Sequence, residues 1–328
     1  MASSIAVTSS KSDSVGPASL VAGPLFSSND DRSSLHGFKH MAFWIELFLS
    51  GIVAGLIIGL SALSITLVFG IARFPNAATG DTMTFGAYGA LLGHRATNSL
   101  LIGGFTGAIA GAVVGFLGYW LIFRKLAERS NVALLVASIG LAFVLRAILG
   151  VAFGHSQQVF QMPLVRPWRI GDVPVHPNDL MLACACAFVL AIVFAVLHLT
   201  PIGRRMRAVA DDPNLARVSG ISPTSVMTVL WLLAGAVSAC AGIVTGIKTV
   251  VSPEMGWELL LPAFAAAIVG GIGSPVGAVV AGLLIGVVQE LASPFVGFTY
   301  KIALSFLMML VVLLFRPRGL FGKLEGAR

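Results

Sequence analysis

Residues 76–82 carry the cluster of small polar side chains best suited to binding a small solute. The cluster consists of Asn76, Thr79, Gly80, Asp81 and Thr82. It stands where a short helix is expected to start, and a helix start offers free N–H groups and a partial positive charge that suit a carboxylate. The Asp81 carboxylate suits an ammonium group, so the segment predicts a pathway for a zwitterion. The alternative is that Thr79 and Asp81 only cap the helix.

Four charged residues lie inside or at the edges of apolar runs: Glu46, Arg146, Glu290 and Lys301. Charge in lipid is costly and often functional. Three of the four lie near run ends, where long side chains reach the membrane surface. Arg146 lies deeper, and we expect it to form an ion pair within a helix bundle. A proton- or sodium-coupled transporter needs more acidic residues than this.

The sequence lacks the residue clusters that catalysis, metal binding or phosphate binding would need. The six histidines are scattered, and Cys184, Cys186 and Cys240 all lie inside apolar runs. The sequence has no Gly-x-x-x-x-Gly-Lys-Ser/Thr segment to cradle a phosphate. We therefore expect no catalytic residue, no metal site and no cofactor bound by this chain. The net charge of +7 is divided among loops between apolar runs, which argues against a nucleic-acid partner.

The composition is that of a membrane protein. Of 328 residues, 57% are hydrophobic and 11% charged, against about 25% charged in soluble domains. Long apolar runs cover 43–70, 100–123, 131–153, 180–199, 226–247 and 297–315. Two further stretches, 79–93 and 259–292, are less regular. The second is broken by Gly270, Gly271 and Gly273, and we divide it near Ser274 into two helices. The sequence predicts an all-α polytopic membrane bundle of about eight or nine transmembrane helices.

Glycines recur every four residues in several of these runs and therefore share one helix face. The sets are Gly51, Gly55 and Gly59; Gly103, Gly107, Gly111 and Gly115; Gly242 and Gly246; Gly282 and Gly286. Such faces predict close helix contacts, either static or sliding.

Loop charges predict the orientation. Lys and Arg concentrate around 124–129, 204–217 and 316–328, which places these loops in the cytoplasm and the sparsely charged 154–179 loop outside. Nine crossings put the start of the membrane region outside. If residues 79–93 are re-entrant, the chain crosses the membrane eight times and the membrane region starts on the cytoplasmic side.

Residues 1–40 are rich in Ser, Gly and Pro, and we expect them to be disordered. Met41 directly precedes the first apolar run, so our hypothesis is that translation starts there. The expected domains are then a membrane domain at 41–323 and a short cytoplasmic tail at 324–328.

The basic loop at 200–222 carries unusually strong local signals. Asp212 and Pro213 form a helix start, and Gly220 is placed to end the helix about two turns later. Leu215 and Val218 lie three apart and form its apolar face. A stiff helix in a cytoplasmic loop offers a surface that a partner protein can bind. An ordinary interfacial helix is the alternative.

This loop also resembles the coupling loop of ABC importer permeases. The match runs Arg207-Ala208-Val209-Ala210-Asp211-Asp212 and then Gly220-Ile221. It is closest to the high-affinity branched-chain amino acid permeases and extends over roughly 42–323. Three further segments look like that family: Lys125 to Gly140, Ala267 to Ser274 and Arg316 to Gly322.

The resemblance implies a permease subunit in a bacterial inner membrane, importing branched-chain or similar small amino acids. Its implied partners are two ATPase subunits that bind ATP and Mg, a second related permease and a soluble substrate-binding protein. The implied coupling residues are Arg207, Asp211, Asp212, Pro213, Leu215, Val218 and Gly220. Importers of urea, short amides or organic acids remain alternatives, as does an ion-coupled secondary transporter.

One segment departs from the family pattern. The family's Asn-Phe-Ala-His-Gly-Glu corresponds here to residues 76–81, where Asp81 replaces Glu and the Phe and His are absent. If this segment lines the pathway, the departure bears on the substrate.

Overall fold

A computed structural model of the chain describes residues 29–162, 166–170 and 173–322, with side chains described from Met41 onward except at 169, 170 and 173. The predicted disorder of residues 1–28 and the predicted tail at 324–328 lie outside these ranges. Helix α1 begins at Asn29, and the disorder expected of residues 1–40 stays a prediction.

The described residues form a bundle of helices with one small hairpin. The helices are α1 (Asn29–Ala72), α2 (Ala78–Thr97), α3 (Leu100–Gly118), α4 (Arg124–Leu126), α5 (Asn131–Phe153), α6 (Pro177–Leu199), α7 (Pro201–Asp211), α8 (Pro213–Val218), α9 (Pro223–Lys248), α10 (Met255–Gly270), α11 (Pro275–Val296) and α12 (Lys301–Phe315). A π-helical turn, Tyr119–Phe123, joins α3 to α4, and a 3₁₀ turn, Phe298–Tyr300, precedes α12. Strands β1 (Trp168–Ile170) and β2 (Val173–Val175) pair antiparallel, with Arg169 opposite Pro174.

The polytopic all-α bundle predicted from composition is confirmed. Seven helical stretches of the described chain are long and apolar enough to span a membrane: Met41–Ala72, Leu100–Leu126, Asn131–Phe153, Pro177–Leu199, Pro223–Lys248, Pro275–Val296 and Phe298–Phe315. Helix α2 is more polar, and α10 is shorter at 16 residues. These two helices decide whether the number of crossings exceeds seven.

Helix α2 runs from one side of the bundle to the other. Next to its start, Arg73 Nη2 donates to the carbonyl of Ala210 in the basic 200–222 loop, at 2.9 Å. At its end, Arg95 Nη2 donates to Oε1 of Gln158 in the opposite loop, at 2.6 Å. Its 20 residues rise about 30 Å, enough to cross the hydrocarbon. The geometry favours a crossing over a re-entrant segment, and hence the nine-helix alternative.

The predicted glycine faces are close-contact seams. Helix α1 packs on α11, where a Cβ added at Gly55 would lie 2.7 Å from Leu283 Cα, and one at Gly286 would meet the backbone of Gly55. Helix α3 packs on α9 in the same way, since a Cβ at Gly115 would lie 2.7 Å from Trp231 O. Small residues let these helix backbones approach closely.

Candidate functional site

Helix α8 is fixed at its start by Asp212. The Asp212 carboxylate accepts hydrogen bonds from the N–H groups of Asn214, at 2.8 Å, and Leu215, at 3.1 Å. Pro213 occupies the first helical position, where its missing N–H costs nothing. The N–H groups of Leu215 and then Asn214 hold the pKa of Asp212 below its ordinary value. The carboxylate therefore stays ionised, as an acceptor requires, at neutral pH.

The end of α8 is fixed by Gly220. The N–H of Ile221 donates to Ala216 O at 2.9 Å, and the N–H of Gly220 donates to Arg217 O at 3.1 Å. These two bonds form a Schellman motif, and the residue at its turn needs a left-handed backbone. Gly220 has φ of +82°, which only glycine adopts freely. Both ends of this two-turn helix are thus specified by the sequence.

The apolar face of α8 points away from the rest of the chain. Leu215 is 66% exposed and Val218 is 88% exposed, whereas Ala216 on the other face is 4% exposed. A capped helix that offers two apolar side chains to the outside presents a rigid contact surface.

Arg207 and Asp211 lie on α7 instead of α8. Arg207 Nη1 donates to Leu197 O at 2.6 Å, which ties α7 to the end of α6. Arg73, the residue after α1, donates to the carbonyls of Ala210 and Asp211 at 2.9 and 3.4 Å. The sequence-based set missed Arg73, because a lone basic residue after a membrane run does not reveal a partner elsewhere in the chain. The two contacts join α7, and through it α8, to the membrane helices.

The polar segment before α2 is buried, and its residues have different roles. The Asn76 side chain accepts from the N–H of Ala78 at 3.1 Å, and the Thr79 hydroxyl donates to Asn76 O at 2.9 Å. The Thr82 hydroxyl donates to Ala78 O at 2.9 Å. The Thr79 hydroxyl therefore acts as a donor at the start of α2, and the Asn76 amide oxygen is the acceptor for the N–H of Ala78.

Asp81 is paired with Arg146 and is not open to a solute in this structure. Arg146 Nε lies 3.1 Å from Asp81 Oδ1, and Nη2 lies 3.3 Å from Oδ2, so the pair is bidentate. The Asp81 side chain is 1% exposed and that of Arg146 is 21% exposed. The Arg146 guanidinium also lies 5.3 Å from the centroid of the Trp257 ring. The expected ion pair of Arg146 is confirmed, and it joins α2, α5 and α10.

The remaining polar residues of the segment border a very small cavity. Asn76, Thr79 and Thr82 line it together with Trp231 and Ser238, and its volume is about 10 Å³. Such a volume holds about one water molecule. Gly80 faces the other way, where an added Cβ would lie 2.6 Å from Gly256 O. In this conformation the predicted pathway residues are closed to an amino acid.

Helices α10 and α11 meet at Gly270–Ser274. Helix α10 ends at Gly270, and Ser274 caps α11 through its hydroxyl, which accepts from the N–H of Gly277 at 3.2 Å. Gly271 and Gly273 have φ of +101° and +84°, values that L side chains rarely adopt. Leu320 and Phe321 near the C-terminus donate N–H groups to Val269 O and Gly270 O. The tail thereby satisfies the last carbonyls of α10.

A second ion pair lies at the opposite side of the bundle. Lys301 Nζ lies 2.7 Å from Glu290 Oε1, and it also lies 4.7 Å from the Phe298 ring centroid. Snorkelling, which we expected of Glu290 and Lys301, is thus replaced by pairing between the ends of α11 and α12. Asp81 and Glu290 are the buried carboxylates among the described side chains, and each has a cationic partner.

Comparison with known proteins gives a consistent result. Residues 47–313 match the family described as "Branched-chain amino acid transport system / permease component". The high-affinity branched-chain amino acid transport system permease protein LivH of Salmonella typhimurium is 27% identical over 303 residues, which cover 88% of this chain and 98% of LivH. Its counterpart BraD of Pseudomonas aeruginosa is 25% identical over 86% of this chain and 97% of BraD. The permease protein LivM of Salmonella typhimurium is 27% identical over 65% of this chain and 56% of LivM.

Proposed function

Because this chain belongs to the family of permease components of branched-chain amino acid transport systems, we propose that it imports branched-chain or similar small amino acids with ATP-driven partners. The chain itself is a multi-pass, non-catalytic membrane subunit. We place it in the inner membrane of a bacterium. ATP and Mg²⁺ bind to the partner ATPase subunits.

The exposed apolar face of α8 is the observation that carries the proposal. Leu215 and Val218 project from a helix whose two ends are locked by Asp212 and Gly220. We assign this face to a groove of an ATPase subunit. A locked helix transmits a displacement of the ATPase, which a flexible loop would absorb.

The displacement has a physical route into the membrane. Helix α7 directly precedes α8 in the chain. The Arg73 side chain binds α7 to the end of α1, and Arg207 binds it to α6. Two ATPase states that hold α8 differently would therefore shift α7 against the bundle. The free energy of the shift is the difference in contact free energy between the two states.

A second permease and a binding protein complete the proposed importer. LivH and LivM of Salmonella typhimurium are both described as permease proteins of a high-affinity branched-chain amino acid transport system, and both are similar to this chain. This favours pairing with a related permease over a pair of identical chains. The binding protein would deliver solute on the side of the 154–176 loop, opposite α8.

The two ion pairs argue against an ion-coupled secondary transporter. Coupling to protons or sodium needs a membrane carboxylate that can release its partner and bind the ion. Asp81 is held by two hydrogen bonds from Arg146, and Glu290 by Lys301. An external source of free energy is the simpler explanation for transport through such a bundle.

Docking is tested with the double substitution Leu215→Ser and Val218→Ser in the assembled complex. We expect loss of ATPase co-purification with this chain while the amount in the membrane is unchanged. The matched control is Val159→Ser, an apolar residue that is 58% exposed on the opposite side. Full retention of the ATPase by the double variant would contradict the assignment of α8.

The substrate is tested by uptake into vesicles that hold the full complex and ATP. We expect labelled leucine, isoleucine or valine to accumulate and urea, short amides and organic acids to remain at background. Accumulation of urea, an amide or an organic acid in place of the amino acids would reject the substrate class. Urea, amides and organic acids are included because residues 76–81 depart from the family pattern.

A further inference from the structure

A cavity in the described part of the chain lies away from the polar segment, beside the 200–222 loop. Its volume is about 470 Å³, within the range of small-molecule sites. Its walls come from the end of α1, the α6–α7 corner, the α10–α11 junction and Phe321 of the tail. The positive-inside rule places its mouth on the cytoplasmic side.

Two opposite charges line this cavity. Arg207 uses one N–H on Leu197 O and keeps four further N–H donors. Asp211 also lines the cavity, and within the described structure its carboxylate takes part in no ion pair or hydrogen bond. They lie four apart on α7 and therefore on one helix face. A ligand that carries both an anion and a cation fits such a pair.

The far wall adds partners for an anion. Ser274, Pro275 and Val276 form the start of α11, a helix of 22 residues whose positive end faces the cavity. Thr66 also lines the cavity, is 2% exposed and has a hydroxyl with no hydrogen-bond partner in the described structure. That hydroxyl oxygen is almost inaccessible to solvent, so the start of α11 is the partner that this wall offers to an anion.

The rest of the lining is largely apolar. It includes Leu67, Ile71, Met206, Ile272 and Phe321. These side chains offer a surface for an aliphatic group, and His198 is a further polar residue of the lining.

We propose that this cavity binds a small amino acid with an apolar side chain from the cytoplasm, with its carboxylate toward Arg207 and the start of α11 and its ammonium toward Asp211. The proposal rests on the proposed function in assuming that the imported solute is the ligand. An occupant would stand between α7 and the α10–α11 junction. Because α7 leads to α8, the occupant would oppose the shift that the ATPases drive. Imported amino acid would thus slow further import.

The binding step is tested with the full chain in lipid nanodiscs by calorimetric titration of L-leucine. We expect saturable binding to the wild type, at least about tenfold weaker binding to Arg207→Gln, and none to Val276→Trp, whose larger side chain would occupy the part of the cavity next to the start of α11. The matched control is Arg205→Gln, which removes an exposed charge from α7 that does not line the cavity. Isopentylamine, which lacks the carboxylate, and 4-methylpentanoate, which lacks the ammonium, should both bind at least about tenfold more weakly.

Several results would overturn the site. Unchanged leucine binding in Arg207→Gln and Val276→Trp would place leucine elsewhere. Displacement of leucine by 4-methylpentanoate at equal concentration would remove the role of Asp211. Absence of leucine binding, both with and without phosphatidylglycerol in the nanodiscs, would reject the amino acid site.

The feedback step is tested in inside-out vesicles containing the complete complex, where the cytoplasmic face is accessible. For each variant we measure the ratio of the ATP hydrolysis rate with external L-leucine to the rate without it. We expect leucine to lower hydrolysis severalfold in the wild type and Arg205→Gln but not in Val276→Trp. An identical ratio in all three contradicts the feedback. Uptake of leucine by right-side-out vesicles distinguishes the proposed import function from the feedback. Absence of uptake rejects the proposed function. Uptake without feedback rejects only this inference.

Discussion

The Asp81–Arg146 pair gives the sharpest test of the packing. Asp81 is almost wholly buried, and its bidentate bond to Arg146 joins α2 to α5. Removing one partner leaves a charge in a low-dielectric bundle, at a cost of about 3–5 kcal/mol. Because 21% of the Arg146 side chain is exposed, we take about 3 kcal/mol, the lower end of that range. This corresponds to an approximately hundredfold lower ratio of folded to unfolded protein.

A double-mutant cycle measures the pair. Asp81→Leu and Arg146→Met are made singly and together, and the free energy of unfolding is followed by denaturation in mixed micelles. We expect each single variant to lose about 3 kcal/mol and the double variant to recover most of it, since apolar residues can replace an ion pair at little cost. Glu254→Leu is the control, because Glu254 is an exposed carboxylate at the outer side.

Additive losses in the double variant would refute the pairing. A second informative result is possible with Asp81→Leu alone. If this variant folds with wild-type stability but no longer takes up amino acid, Asp81 contacts solute during transport, as its position in the polar segment first indicated.

Three further perturbations test the caps and seams. Gly220→Val places a β-branched residue at φ of +82° and should abolish ATPase co-purification with membrane insertion intact; retained co-purification would contradict the capping geometry. Gly286→Leu forces α11 away from Gly55 and should yield aggregated protein on size exclusion, whereas Gly104→Leu, which meets nothing within 4 Å, should not. Asp212→Ala should speed hydrogen exchange at the amides of Asn214 and Leu215. Since the pKa of Asp212 is lowered, the cap is complete above its ordinary pKa and is lost only as pH falls through the lowered value, so wild-type exchange protection should hold between about pH 5 and 8.

Local signals in the sequence were sufficient for α8. Its start at Asp212–Pro213 and its end before Gly220 depend on residues within one short loop, so no knowledge of the fold was needed. The glycine spacing likewise identified faces for close contact, because four-residue spacing is a property of a single helix.

Pairings across the bundle could not be predicted in the same way. Arg146 and Asp81 are 65 residues apart, and the sequence indicated only that Arg146 needed a partner. The contact of Arg73 with α7 spans 137 residues and left no local pattern. The cavity beside α7 depends on how α1, α7 and the α10–α11 junction pack together, which spacing within one helix does not specify.

The role of the 76–82 segment was predicted in part. Its residue types indicated polar contacts at a helix start, and the structure shows such contacts. The neighbours decide which atoms they bind: the Asn76 side chain accepts from the N–H of Ala78, and Asp81 pairs with Arg146.

Accumulation of labelled leucine in vesicles tests the central claim most directly. This chain is reconstituted first alone, and then with the related permease, the ATPases, the binding protein and ATP. We predict accumulation against a gradient only in the complete system, and its loss when Leu215 and Val218 are both replaced by serine. Accumulation by the chain alone would contradict the account.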